Sequence, residues 1–296
     1  MTAGTSAVGS QESARASLDE AAVERAAAGV ALRLPRSPHR GRLGDVRAAS
    51  TGSSMELSDF RAYAPGDDVR QLDWNAVART GELVLRVRHD EVAPRVEVVL
   101  DGSKSMAVSR VKASRAAEVA MLVCRVAARQ GLEPSLVVTS RTPRRATGAA
   151  CLTAARAAEA DAADDLGAAL RRSPPLRPSG LRVVVSDFLF EAPLDSFAAL
   201  LSRGTSALVF VQLLDGEDAD PGGGSGARLV DAETGEVLER MLAAPVLEAY
   251  RRRLAEHQAL LRRAVARARG TLLTAVADDG LEALWRGALS PLWEPG

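Results

Sequence analysis

The segment Asp101-Gly102-Ser103-Lys104-Ser105-Met106 gathers the residue types best suited to holding a ligand. An aspartate and two serines at i, i+2 and i+4 turn their oxygens to one side of a tight loop. Hard oxygen donors converging in this way suit Mg²⁺ or Mn²⁺ better than zinc or copper. One carboxylate with two neutral hydroxyls leaves such an ion under-neutralised, with positions open for water or for an outside carboxylate. The ion then acts as an adaptor to an acidic group on a partner. Asp187, which closes the run Leu181 to Ser186, is placed to join from a neighbouring strand end, directly or through water.

Three other chemistries compete for the same residues. The loop can simply be a polar turn capping the helix that starts near Ser109. A loop before a helix N-terminus also attracts phosphate, but Gly102-Ser103-Lys104-Ser105 lacks the spaced glycine and the Gly-Lys-Ser order of a nucleotide-binding loop. A metal-dependent hydrolase or phosphatase would also use Asp101, yet the position two residues on, where an acid/base carboxylate is wanted, is Ser103. Elsewhere His39, His89 and His257 form no triad or metal pair, and no nucleophile–base pairing stands out.

The elements that must position this loop follow from periodicity. Arg95 to Leu100 and Leu181 to Val185 are apolar runs of strand length, each followed by the aspartate of interest. Between them, Ala116, Val119, Ala120, Val123 and Ala127 fall on one face of a helix running from about Ser109 to Arg129. Further strands are expected at Leu83 to Arg88, Ser135 to Thr139, Ala207 to Leu214 and Thr271 to Val276. Helices are expected at Ala149 to Arg172 (broken near Asp161 to Asp165), Pro193 to Ser202, Pro245 to Arg269 and Leu281 to Leu289. Arg228 to Asp231 and Glu236 to Arg240 read as a small hairpin. Strands alternating with helices indicate an α/β fold with a mainly parallel sheet and helices on both faces. In such sheets the working site lies beyond the carboxyl ends of the strands, which is where Asp101 and Asp187 fall.

Composition removes several classes of function. The chain has 296 residues, 47% hydrophobic, with 38 Lys+Arg against 38 Asp+Glu. A net charge of zero argues against electrostatic capture by nucleic acid or anionic lipid. Only 3% of the residues are aromatic, which removes a stacking platform for single strands. No run of 18 apolar residues is present, and the first residues lack a signal-peptide core, so a cytoplasmic protein with no membrane span is expected. Cys124 and Cys151 form no metal motif and read as buried free thiols. Nearly all the cations are arginine; Lys104 and Lys112 are the only lysines.

Upstream lies a longer ordered pattern. Ser54-Met55-Glu56-Leu57-Ser58-Asp59-Phe60-Arg61 is followed by Tyr63-x-Pro65-Gly66-Asp67-Asp68-x-Arg70 and by Asp73-Trp74, then Ala78-Arg79-Thr80. With the Asp101-x-Ser103-x-Ser105 strand end, this resembles the bacterial family called domain of unknown function 58. The strand end itself resembles the metal-ion-dependent adhesion site (MIDAS) of von Willebrand factor A-type domains. The resemblance implies a von Willebrand A-like (Rossmann-type) α/β domain and a small N-terminal module. It implies Mg²⁺ or Mn²⁺ at Asp101, Ser103, Ser105 and Asp187, and association with a MoxR-type AAA+ ATPase in the assembly or maturation of other proteins. The adhesion site normally takes a threonine from a second loop; matching Ala163-Asp164-Asp165-Leu166 to it puts Asp164 at that position. If Asp164 faces the site, three carboxylates surround one ion; if it faces away, one ligand is missing.

The expected organisation is a disordered or helical tail over 1–40, with an exposed helix at Ser13 to Ala28. The signature module spans 41–92, and the von Willebrand A-like domain 93–296, with a hairpin insertion near 215–240. Arg61, Asp67, Asp68, Arg70 and Asp73 are expected to fix the module by ion pairs, with Trp74 as a core anchor. On the long helix, His257 is expected to pack on the stripe Leu247, Tyr250, Leu254, Leu261 and Val265, while Arg252, Arg263 and Arg267 face solvent. Together these features point to a non-catalytic interaction or adaptor protein.

Overall fold

The computed structural model describes residues 18–34, 59–63, 72–87, 95–221, 224–230, 237–242 and 244–296. In chain order the elements begin with α1 (Glu20–Ala28), β1 (Val30–Leu32), β2 (Asp59–Ala62), α2 (Trp74–Thr80) and β3 (Val84–Val87). They continue with β4 (Val96–Leu100), a 3₁₀ turn over Lys104–Ala107, α3 (Arg110–Arg129), β5 (Pro134–Val138), β6 (Arg144–Thr147), α4 (Ala150–Arg156) and α5 (Leu166–Arg172). Then follow β7 (Ser179–Ser186), α6 (Leu194–Ser202), β8 (Thr205–Leu214), α7 (Gly216–Ala219), β9 (Gly224–Val230) and β10 (Val237–Leu242). The chain closes with α8 (Ala244–Arg267), β11 (Thr271–Val276), α9 (Leu281–Arg286) and β12 (Trp293–Pro295).

The larger compact unit comprises residues 1–39 and 94–296. Its centre is a six-stranded sheet in the order β11-β8-β7-β4-β5-β6. All neighbours are parallel except β6, which runs antiparallel along the β5 edge. Strand order reverses around β4, so β4 has β7 on one side and β5 on the other. The whole Val-Glu-Val-Val-Leu run of β4 is buried, and its residues alternate between the two faces. Val96, Val98 and Leu100 pack with α1, α3 and α9, whereas Val99 joins α5, α6 and α8. Both faces are therefore covered, as a parallel sheet requires. The fold is α/β, a mainly parallel sheet with helices on both faces.

Helix α3 carries the expected stripe into the core: Ala116, Val119, Ala120, Val123 and Ala127 are all buried. Ser109 caps it, its hydroxyl accepting from the Lys112 amide at 3.3 Å. The expected helix over Ala149 to Arg172 is two helices, α4 and α5, separated where the break was anticipated. Strand β6 is an addition to the sequence reading: Arg-Arg-Ala-Thr has no apolar alternation because it lies on the sheet edge, with no residue buried.

The segment Ser13 to Ala28 differs from the exposed helix expected of it. Over its described part, α1 buries Val23, Ala26 and Ala27, small residues that let the helix lie close on α3. Its successor β1 pairs antiparallel with β12, Val30 opposite Pro295, so the two ends of the described unit are clasped together. Gln130, at the end of α3, accepts from the Leu32 amide at 2.8 Å. Among the described residues, no helix is long and apolar enough to cross a membrane.

The smaller unit spans Arg40–Ala93. In it β2 and β3 pair antiparallel, Asp59 opposite Val87. Asp73 caps α2, accepting from the amides of Asn75 and Ala76, each at 3.0 Å. Trp74 is 64% exposed rather than a core anchor. It opens the helix and lies about 200° round the axis from the buried Ala76. The side chains of Arg61, Asp67, Asp68 and Arg70 fall outside the described residues. In the expected hairpin, β9 and β10 pair antiparallel, and the turn between them lies outside the described residues.

Candidate functional site

Beyond Leu100 the chain leaves the sheet into the Asp101–Ser105 loop, and hydrogen bonds to β7 and to the residue after β5 fix its course. The Asp101 amide donates to Val185 O of β7 at 3.0 Å, and the Gly102 amide donates to Thr139 Oγ1, beyond β5, at 3.1 Å. On the far side Ala162 donates to Gly102 O at 2.8 Å and receives from the Lys104 amide at 3.1 Å. Gly102 is thus pressed between two backbones. A Cβ there would stand 2.7 Å from Ser140 N and 2.9 Å from Glu159 O, so only glycine fits.

Within this frame the Asp101 carboxylate is buried. Its Oδ1 accepts from the Ser103 amide at 2.9 Å and its Oδ2 from the Ser186 hydroxyl at 2.6 Å. The Ser103 and Ser105 hydroxyls lie 3.0 Å apart and share a hydrogen bond. The structure therefore brings Asp101, Ser103 and Ser105 together at one strand end, with Ser186 as a further hydroxyl that sequence reasoning missed.

Asp187 begins the loop after β7. Its Oδ1 accepts from the Leu189 amide at 3.1 Å, and its Oδ2 accepts from the Lys112 ammonium at 2.7 Å. Lys112 is 1% exposed and donates also to Asp218 Oδ2 at 2.7 Å. Asp218 lies in α7, its carbonyl accepting from the Tyr250 hydroxyl of α8 at 2.6 Å. Phe188, next to Asp187, adopts a left-handed φ of 54°, a conformation that costs energy for an aromatic residue. Three contacts hold it there: its amide donates to Ser186 Oγ at 3.0 Å, its ring stacks on Phe210 at 4.8 Å, and its carbonyl lies 2.6 Å from His257 Nε2. His257 is thus a packed and hydrogen-bonded residue of α8.

Electrostatics follow from this burial. Removal from water raises the Asp101 pKa first, and the nearby Asp187 charge raises it further. The hydrogen bonds from Ser186 and Ser103 offset only part of this, and the carboxyl settles at about 6. Burial works against the Lys112 ammonium, but the charges of Asp187 and Asp218 outweigh it and hold its pKa above the ordinary value. Tyr250 is pushed up by burial and by Asp218 and Asp215.

Asp164, the doubtful ligand, is paired with Arg172 of α5, both side chains being about half exposed at 47%. It is the next residue, Asp165, that caps α5 by accepting from the Ala168 amide at 2.8 Å. Among the described residues, no group of three or more His, Cys, Asp or Glu side chains is arranged to hold a metal ion. A divalent cation would be held by the Asp101 carboxylate and the Ser103 and Ser105 hydroxyls. Asp187, with each oxygen already accepting a hydrogen bond, would act through water. This hard, oxygen-only donor set fits Mg²⁺ or Mn²⁺ that keeps several waters.

Sequence reasoning missed Lys112, Ser186, Asp218 and Tyr250 as parts of this site. A signal for the first was present: a chain with 38 Lys+Arg spends only two on lysine, and one of them is here.

The strand order, the covered sheet and the loop at the β4 end define an α/β protein with an aspartate–serine strand-end site. The family model described as "Protein of unknown function DUF58" matches residues 59–260, and the chain belongs to that family. Among its relatives are the uncharacterized protein Rv1480 of Mycobacterium tuberculosis (strain ATCC 25618 / H37Rv) and the uncharacterized protein Mb1516 of Mycobacterium bovis. Each is 27% identical over 256 residues, covering 79% of this chain and 78% of the relative. Similar solved structures include an aerotolerance-related membrane protein from Bacteroides fragilis NCTC 9343, with multiple mutations to serines. It has 15% identity and a TM-score of 0.37, covering 67% of this chain and 98% of that one. The conserved hypothetical protein BatB from Bacteroides thetaiotaomicron gives 13% identity and a TM-score of 0.36 over the same shares.

Proposed function

We propose that this protein is a non-catalytic, cytoplasmic adaptor that engages a protein partner through the strand-end site. The observation that carries this reading is the convergence of Asp101, Ser103 and Ser105 at the reversal point of a parallel sheet, with Asp187 on the adjoining strand end. Mg²⁺ or Mn²⁺ bound there through Asp101 and the two hydroxyls would leave open positions for a carboxylate from the partner. The family resemblance points to a MoxR-type AAA+ ATPase as one partner. The chain would then link that ATPase to a client protein undergoing assembly or maturation.

The test is a titration of chelator-stripped protein with Mg²⁺ and with Mn²⁺, following the melting temperature of wild type and Asp101→Ala. An ion bound only by the native state adds about 2.7 kcal/mol at a hundredfold excess over Kd. A rise in wild type that is absent in the variant supports the ion site; no rise in either at millimolar ion removes the ion from the reading. Saturable binding of the ATPase, weakened in Asp101→Ala, supports the adaptor role. Turnover of a generic phosphate ester that vanishes in Asp101→Asn would replace it with a hydrolase.

A further inference from the structure

Strand β8 buries one amide among hydrocarbon. Gln212 is fully buried in the run Leu208-Val209-Phe210-Val211-Gln212-Leu213-Leu214, where an apolar side chain would cost less to bury. It stands opposite Ser186 of β7 and Thr274 of β11, so a row of polar residues crosses the carboxyl ends of three parallel strands. Both ends of its side-chain amide are used. Nε2 donates to Asp187 O at 3.0 Å. Oε1 accepts from Thr274 Oγ1 at 3.2 Å and from Gln258 Nε2 of α8 at 3.3 Å. The donors at Oε1 fix the orientation of the amide, with its NH₂ turned to Asp187.

We propose, on the reading that Asp187 serves the strand-end site, that Gln212 is the positioning residue of Asp187: it holds the Asp187 carbonyl so that the carboxylate keeps its direction. The chain turns sharply after β7, and Phe188 takes a left-handed φ of 54°, which an aromatic residue keeps only under constraint. Two successive carbonyls of this turn are held by side chains from other elements. Gln212 of β8 holds Asp187 O, and Phe188 O lies 2.6 Å from His257 Nε2 of α8. With both carbonyls fixed, the following amides turn back on the loop. Phe188 N donates to Ser186 Oγ at 3.0 Å and Leu189 N to Asp187 Oδ1 at 3.1 Å. The other carboxylate oxygen, Oδ2, is left facing Lys112.

Of the two side chains, Gln212 is the one whose loss water cannot make good. His257 is only half-buried, whereas Gln212 and Asp187 are both closed off from solvent. Without the Gln212 donor the Asp187 carbonyl stays buried and unpaired, and the turn is relieved only by moving residues 187–189. Gln212 also passes the support on. Through its Oε1, helix α8 and strand β11 bear on Asp187 by way of one amide.

The test is native-state hydrogen exchange of the Phe188 and Leu189 amides, resolved by NMR in the full chain, for wild type, Gln212→Met and Arg182→Met. Methionine keeps the length of Gln212 and removes both ends of its amide. Arg182→Met breaks a buried pair elsewhere in the sheet and supplies a purely structural loss. Both variants should melt lower. The two loop amides should exchange about tenfold faster in Gln212→Met, the scale of one buried carbonyl left without its donor, and at the wild-type rate in Arg182→Met. Should Gln212→Met fail to fold, Thr274→Val combined with Gln258→Leu removes both donors at Oε1 from residues outside the buried core and should speed the same two amides. Unchanged exchange of these amides in the Gln212 variant or its substitute, or equal acceleration in Arg182→Met, would overturn the proposal. A titration with Mg²⁺ separates this outcome from the ion reading. If wild type melts higher with the ion, Gln212→Met should need more ion for the same rise, and an unchanged midpoint would count against Gln212. If wild type does not respond, the ion reading fails and the exchange rates alone decide the role of Gln212.

Discussion

The Lys112 ammonium lies 2.7 Å from Asp187 Oδ2, and the same nitrogen lies 2.7 Å from Asp218 Oδ2. Lys112 is on the first turn of α3, Asp187 directly follows β7 and Asp218 belongs to α7, so one charge ties three parts of the chain together. A compact ammonium on a flexible stem can be buried between two carboxylates where a planar guanidinium would need more space. Its neighbours hold it protonated. It thus gives the candidate site a fixed positive charge directed at Asp187.

Replacing Lys112 with methionine keeps the volume and removes the charge. Asp187 would then be buried without its counter-ion, the case in which breaking a buried pair costs about 3–5 kcal/mol. Because the Asp218 side chain is 21% exposed, the cost should fall toward the lower end of that range. Urea unfolding should show it as a lower midpoint. If a divalent ion binds at Asp101, added Mg²⁺ should recover more stability in Lys112→Met than it adds to wild type, because the ion then meets an unneutralised Asp187.

Asp101 should leave a pH signature. Its carboxyl titrates at about 6 in the folded protein against 3.8 ordinarily, so the folded state binds this proton more tightly than the unfolded chain does. The contribution to stability is fully present below about pH 4 and is lost as pH rises through 6, amounting to about 3 kcal/mol by linkage. Asp101→Asn removes the buried charge, so the stability difference, variant minus wild type, should grow between pH 4.5 and 7.5. Thermal melts of both proteins across that range measure it. A saturating divalent ion, by favouring the ionised carboxylate, should flatten the wild-type dependence.

Gly102 offers a test of the loop itself. In Gly102→Ala the new methyl would meet Ser140 N at 2.7 Å and Glu159 O at 2.9 Å, both backbone atoms that cannot swing aside. Overpacking of this kind costs about 1–3 kcal/mol. The loop can relieve it only by moving Asp101 and Ser103 away from the end of β5. The variant should therefore lose stability in denaturant and also lose any melting response to Mg²⁺ or Mn²⁺.

The sheet and the loop were legible because each announces itself locally. The run from Val96 to Leu100 is apolar enough to demand burial, and Asp101 follows it; the same holds for Leu181 to Asp187. The helix over Arg110–Arg129 reads directly from its stripe. What sequence could not supply was pairing across distance. Nothing local says that Lys112 faces Asp187 or that Ser186 turns its hydroxyl to Asp101. Nor does anything local say that Asp164 pairs with Arg172 while its neighbour Asp165 caps a helix. The N-terminal helix read as exposed because alanine gives a weak apolar signal, although a small residue is what close packing on α3 requires. Strand β6 was missed for a related reason: an arginine-rich edge strand is held by its backbone partner, which local pattern does not reveal.

Glu97 and Arg182 provide the control that separates folding from the site. Glu97 lies in β4 opposite Arg182 of β7, in register and both fully buried. Glu97 accepts from Arg182 Nε at 3.0 Å and from Arg145 at 2.6 Å, while Arg182 also donates to the carbonyls of Arg177, Leu201 and Arg203. Every strong donor in this cluster has an acceptor, which is what allows two charges to sit inside a parallel sheet. Arg182→Met leaves Glu97 with Arg145 and the Arg177 amide, and empties three carbonyls of their donor, so a loss of about 3–5 kcal/mol is expected. Glu97 is near the start of β4 and Asp101 lies just beyond its end, so the strand separates the pair from the loop. A melting response to divalent ion should therefore keep the same size in Arg182→Met, on a lower baseline, provided the melt remains a single cooperative transition. Loss of that response would mean that the loop depends on the whole sheet rather than on its own bonds to Val185, Thr139 and Ala162.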